Sequence, residues 1–136
     1  MPLLPRRPAP PRATSLRTMA SLTPSVTPAA LASALASPAP PVLLDASWFM
    51  PATGRDGKAE FAAGPRLAGS FFYDFNAIAD TSSGLPHMLP SEAAFACAAA
   101  AVGVTSPAAP VAVYDRAGIF SAPRVWWTWR AMGHDK

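Results

Sequence analysis

The chain has 136 residues, enough for one domain and little more. Its net charge of +3 is unevenly placed: residues 1–44 hold four Arg and no acid, whereas the rest hold seven Lys and Arg against eight acids. The basic balance therefore belongs to the leader, and no cluster of Lys and Arg marks a nucleic-acid partner.

No apolar run approaches the length of a membrane span, about 18 residues or more. One cysteine, Cys97, and two widely separated histidines exclude an internal disulfide and make a zinc site unexpected. No metal or other cofactor is implied.

Ten of the 17 prolines fall in residues 1–41. A Pro-rich stretch with few large apolar residues buries too little surface to offset chain entropy. Residues 1–26 are therefore expected to be disordered, and residues 27–136 to form the domain. The leader bears Arg, Ser and Thr and lacks acids, the composition of a mitochondrial transit peptide. Its prolines oppose a helix before Arg12, and Met19 is an alternative start. Mitochondrial import stands against a cytoplasmic protein with an ordinary tail.

Thr27 and Pro28 open a short helix with Leu31 and Leu35 on one face, and Pro38, Pro40 and Pro41 stop it. Val42-Leu43-Leu44 reads as a buried strand ending at Asp45. Thr53 to Gly57 is a turn, and Lys58 to Ala63 a helical turn. Gly69 to Tyr73 reads as a second strand, followed by loop over 79–90. Ser91-Glu92 starts the clearest helix, which Gly103 ends near Val102. Pro110 to Tyr114 is a third strand, rich in β-branched and aromatic residues. A tight loop from Asp115 to Ile119 leads to a last helix with Pro123 in its first turn, ending at Gly133. Strands alternating with helices predict an α/β fold with a parallel sheet covered on both faces. The chain stops just after a helix, where a strand is expected.

Four segments in order resemble the rhodaneses and 3-mercaptopyruvate sulfurtransferases. They are Val42 to Trp48, Gly69 to Asp74, Leu85-Pro86-His87-Met88-Leu89-Pro90-Ser91, and Val113-Tyr114-Asp115 with Phe120 to Trp127 and Gly133-His134. The wording around His87 is nearer the mercaptopyruvate branch than the thiosulfate branch. The resemblance implies a rhodanese-like three-layer fold with a central parallel sheet, here truncated before its last strand and helix. Residues 27–136 would be the N-terminal, non-catalytic domain of a two-domain enzyme, and incomplete.

In such enzymes a Cys in the C-terminal domain takes sulfane sulfur from 3-mercaptopyruvate or thiosulfate as a persulfide. It then passes the sulfur to a thiol or cyanide. The small-molecule sulfur donor would thus be met through a C-terminal domain outside this chain, with no nucleic-acid or membrane partner. The position equivalent to the nucleophile is Asp115, so the 136 residues alone are expected to be inactive. The alternative is a stand-alone, catalytically inactive rhodanese-like module that binds or regulates.

His87 matches a residue that reaches the substrate carboxylate across the domain interface, and Trp48, Phe120 and Ser121 match the mouth of that site. Ordinary packing is the competing reading for those three, and solvent exposure for His87. Two departures from the family stand out: Ala68 replaces a usual Pro, and Arg116-Ala117 follows no assigned pattern.

The residues themselves add further expectations. Asp115, just before a helix, is better suited to accepting backbone N–H bonds than to acid catalysis. Cys97, among alanines at helical spacing, is expected to be a small buried apolar residue. Trp126, Trp127 and Trp129 cannot all face one side of a helix, so at least one must be exposed or covered by a partner. Arg124 is expected to serve the helix or an ion pair rather than catalysis.

Overall fold

The computed structural model describes residues 24–136. The leader assigned as disordered and import-competent lies outside the described residues up to position 23.

The first helix, α1, spans Pro28–Leu35; the Thr27 hydroxyl accepts the Ala30 N–H at 3.2 Å, as its N-cap position requires. The expected Leu31–Leu35 face is not a core face, because no α1 residue is buried and Leu35 is exposed. Strand β1, Val42–Asp45, is buried along Leu43, Leu44 and Asp45. A single 3₁₀ turn over Pro51–Thr53 ends at Gly54, whose left-handed φ of 63° suits glycine. Helix α2, Gly57–Ala63, is capped by the Asp56 carboxylate on the Ala59 N–H.

A second close approach fixes α2. A Cβ on Gly57 would lie 2.1 Å from the Ser47 carbonyl oxygen, so only glycine lets the helix start against the chain leaving β1.

Strand β2 is shorter than the expected Gly69–Tyr73 and comprises Phe71–Phe72 alone. Gly69 takes φ 75°, a turn conformation, and one further bond from the Tyr73 N–H to the Asp45 carbonyl closes the pairing. Helix α3, Glu92–Ala101, has Ser91 as N-cap, and Gly103 follows in the left-handed region. Strand β3 spans Val111–Tyr114 and helix α4 Ala122–Ala131.

The three strands are parallel in the order β2-β1-β3, with Leu44 opposite Phe71 on one side and Val113 on the other. The core joins Leu44, Tyr73, Phe75, Ala99, Val102, Val104, Val125 and Trp129. Trp129 is 3% exposed, whereas Trp126 and Trp127 remain on the surface. This is the division that three tryptophans in four residues require.

Cys97 departs from expectation: it is exposed. Phe95, Ala99 and Val102 lie on the inward side of α3. A residue two positions before Ala99 is about 200° away around a helix, and so faces outward. Phe95, the one large apolar residue of the helix, was the available signal, since Cys97 two positions on falls on the opposite side.

The chain leaves β1 in the middle of the sheet, with β2 on one side and β3 on the other. In open α/β sheets the crevice outside the carboxyl end of such a strand is where ligands bind. The residues there are Asp45, Ala46, Ser47 and Trp48.

Candidate functional site at the carboxyl end of the sheet

The loop after β3 folds around a carboxylate. Asp115 Oδ1 accepts the Ala117 N–H at 3.0 Å, and Oδ2 accepts those of Phe120, Ser121 and Ala122 at 2.7, 2.9 and 2.8 Å. Four donors thus converge on one side chain, in place of a local cap from Ser121, whose side chain makes no cap bond. Partial burial alone would raise the Asp115 carboxyl, but the four N–H bonds outweigh it and hold it below its ordinary value. The capping role read from the sequence is the role observed.

Trp48, His87, Phe120 and Ser121 come together as one cluster. Trp48 is central: its backbone N–H donates to the Ser121 hydroxyl at 3.1 Å. The Phe120 ring stacks on the indole at 6.0 Å between centroids, and the His87 ring meets it edge-on at 5.0 Å. Ser121 is buried, His87 and Trp48 are half-buried, and Phe120 is 50% exposed. The cluster therefore offers an aromatic and imidazole surface to whatever lies beyond the sheet.

Sequence reasoning missed three neighbours. Asn76 Oδ1 is hydrogen-bonded to His87 Nδ1, and Phe75 contributes a second ring 5.8 Å from the imidazole. Both lie in a segment whose sequence shows only loop character. Asp45, fully buried at the end of β1, accepts the Ser47 N–H through Oδ1, while Oδ2 is buried without a hydrogen bond.

Arg116, which matched no pattern, now has a role. Its N–H donates to the Ser47 hydroxyl at 3.0 Å, and its guanidinium lies 3.4 Å from Glu60 Oε2 on α2. Glu60 also takes Arg55 in a two-pronged pair at 2.7 Å, a bond that holds its carboxyl below the usual range. Ala68, the other departure, is an exposed turn residue just before Gly69.

Beside the cluster, a polar cavity of about 290 Å³ is lined by Ser47, Trp48, Arg55, Lys58, Asp74 and Asn76, among others. Cys97, on α3, takes no part in the loop or the cluster, and Arg124 sits 5.4 Å from the Trp127 ring on α4. Among the described residues, no three His, Cys, Asp or Glu side chains are placed to hold a metal, and no helix is long and apolar enough to cross a membrane.

The parallel sheet with helices, and the strand-end loop whose N–H groups converge on an anion, are those of a chain whose fold matches rhodanese-like structures. Its relatives in sequence are sulfurtransferases. The chain is 47% identical over 94 residues to thiosulfate/3-mercaptopyruvate sulfurtransferase 2 of Arabidopsis thaliana, covering 69% of the chain and 27% of that protein. It is 46% identical over 109 residues to the 3-mercaptopyruvate sulfurtransferase of Rattus norvegicus, covering 76% of the chain and 36% of that protein. In fold it matches the sub-stoichiometric sulfur transferase subunit of yeast mitochondrial complex I, with TM-score 0.72 and 36% identity over 81% of the chain and 36% of the subunit. No family model matches. Over about 70% of its length the chain is homologous to thiosulfate/3-mercaptopyruvate sulfurtransferases, and it spans about a third or less of the length of these relatives.

Proposed function

We propose that this chain is the N-terminal, non-catalytic domain of a two-domain sulfurtransferase, and forms one wall of a site for 3-mercaptopyruvate or thiosulfate. Asp115 stands where a catalytic domain of the family carries its Cys. A carboxylate there is already an anion and accepts no sulfur. The loop that would stabilise a thiolate or persulfide is filled by the protein's own charge. The catalytic thiolate comes from a second rhodanese-like domain. That thiolate attacks the donor's sulfur, breaking the C–S bond of mercaptopyruvate to release pyruvate or the S–S bond of thiosulfate to release sulfite, and yields the resulting persulfide sulfur to a thiol or cyanide acceptor as the thiolate is regenerated.

The observation that carries this reading is the set of four backbone N–H groups bound to Asp115. The aromatic cluster supports the second half of it. Trp48, Phe120 and His87 present a partly open surface at the strand end where a donor held by another domain would lie. His87 supplies a donor for the mercaptopyruvate carboxylate. Mitochondrial placement is part of the proposal. It rests on the acid-free, Arg-bearing leader and on the mitochondrial origin of the matched subunit.

The test is direct. The purified chain is assayed for thiocyanate formation from cyanide with 3-mercaptopyruvate or thiosulfate as donor. Turnover is expected to equal that of a Cys97→Ala control, at background. Activity that depends on Cys97 would overturn the proposal and make the exposed thiol on α3 the nucleophile. A full-length version that transfers sulfur through a Cys outside these residues separates the enzyme half from an inactive stand-alone module.

A further inference from the structure

His87 has an unusual setting. Its φ of 58° is left-handed, one of two such values among the described non-glycine residues. A side-chain-bearing residue keeps that conformation only where its surroundings over-determine it, and such residues gather at functional sites. Here three side chains hold the imidazole. Trp48 meets it edge-on at 5.0 Å and Phe75 lies at 5.8 Å, so two rings fix its plane. Asn76 Oδ1 takes its Nδ1. No hydrogen bond or ion pair joins the ring to a charged side chain among the described residues.

From this geometry we infer that Asn76 is a positioning residue that fixes the tautomer of His87, holding the proton on Nδ1 and leaving Nε2 as the nitrogen offered to a ligand. An amide oxygen only accepts, so the nitrogen facing it carries the hydrogen. In neutral imidazole the other nitrogen is then the unprotonated one, and in the cation it is the one free donor. The amide has a second property that a carboxylate lacks: it orients the ring without a negative charge. Asn76 therefore sets which atom meets the ligand without placing a charge beside the ring, and that atom donates to an anionic ligand when the ring is the cation. The inference rests on the proposed donor-side role of His87 only for the identity of that ligand. The tautomer assignment stands apart from it.

Nitrogen-15 NMR of the imidazole in the full 136-residue chain tests the inference. The two histidine rings are told apart by loss of one set of signals in His87→Gln. At a pH where the ring is neutral, Nδ1 is expected at the protonated position and Nε2 at the unprotonated one. Asn76→Ala should move both signals toward the average of two exchanging tautomers, with dispersed backbone amides confirming that the fold persists. Asn76→Asp, which keeps an accepting oxygen in the same place, should keep the tautomer. Protonated Nε2 in the unsubstituted chain would overturn the inference, as would identical ring signals in all three proteins. If the tautomer holds but His87 proves irrelevant to turnover in a full-length enzyme, only the donor-side role fails.

Discussion

At the scale of single residues, Asp115 does the work of a helix cap from seven positions before the last N–H it holds. Its folded-state carboxyl is held below the ordinary value. For a depressed acid, the stabilisation is present above the unfolded-state titration and is lost as pH falls through the folded value. Asp115→Asn should therefore destabilise the chain by about 1 kcal/mol at neutral pH, the usual worth of such a cap, kept modest because the group is half-exposed. The difference in urea midpoint between the two proteins should close as pH falls toward 3. A gap that stays constant from pH 7 to 3 would show that the carboxylate charge is not what closes the loop. His87 gives a second prediction, for a full-length enzyme. His87→Ala should raise KM for mercaptopyruvate more than for thiosulfate, because a hydrogen bond to a carboxylate is lost, on the order of 1–3 kcal/mol. Equal effects on the two donors would return His87 to an ordinary loop histidine.

Among the elements, α2 is the piece whose placement depends most on a single atom. Gly57 sits where any Cβ would collide with the Ser47 carbonyl, and Ser47 in turn holds the Asp115 loop through Arg116. Gly57→Ala should destabilise by about 1–3 kcal/mol, the cost of forcing an extra carbon into a packed contact. The measure is the change in urea midpoint, and a loss under half a kilocalorie would mean the helix simply shifts. The helix starts were legible because their signals are local: Thr27-Pro28, Ser91 and Pro123 sit where caps and first turns require them. The extent of β2 was not, since Gly69 to Tyr73 reads as five extended residues but only Phe71 and Phe72 enter the ladder. Pairing is decided by β1, outside the segment. The inward side of α3 was only weakly marked, because alanine at almost every position leaves no apolar stripe and Phe95 alone distinguishes the two sides. The four candidate site residues were singled out only through resemblance to a family, and the structure shows no more than that they cluster. Asn76 escaped because its role depends on a contact across 11 positions, which loop composition does not encode.

For the whole molecule, β3 is an edge strand of the sheet. β3 pairs with β1 along its full length, while on its outer side it makes a single backbone bond among the described residues, from the Val111 N–H to the Lys136 carbonyl at 3.2 Å. Near this end of the fold, Trp126 and Trp127 on α4 are 39% and 46% exposed. An edge strand with open N–H and C=O groups is a template for another strand. If the chain is part of a larger rhodanese-like domain, a further strand beside β3 satisfies these groups, and a helix after it covers apolar surface. Each backbone group left buried and unpaired costs about 1–3 kcal/mol. A gain of 1 kcal/mol raises the melting temperature of a domain of 60–100 residues by roughly 4–8 °C. A version extended through the next strand and helix of the rat relative should therefore melt at least several degrees above the 136-residue chain, and more cooperatively. Thermal unfolding followed by circular dichroism reads both. Equal midpoints with sharp, monomeric transitions would mean that the three strands are sufficient by themselves, and would favour an independent binding module over one half of an enzyme.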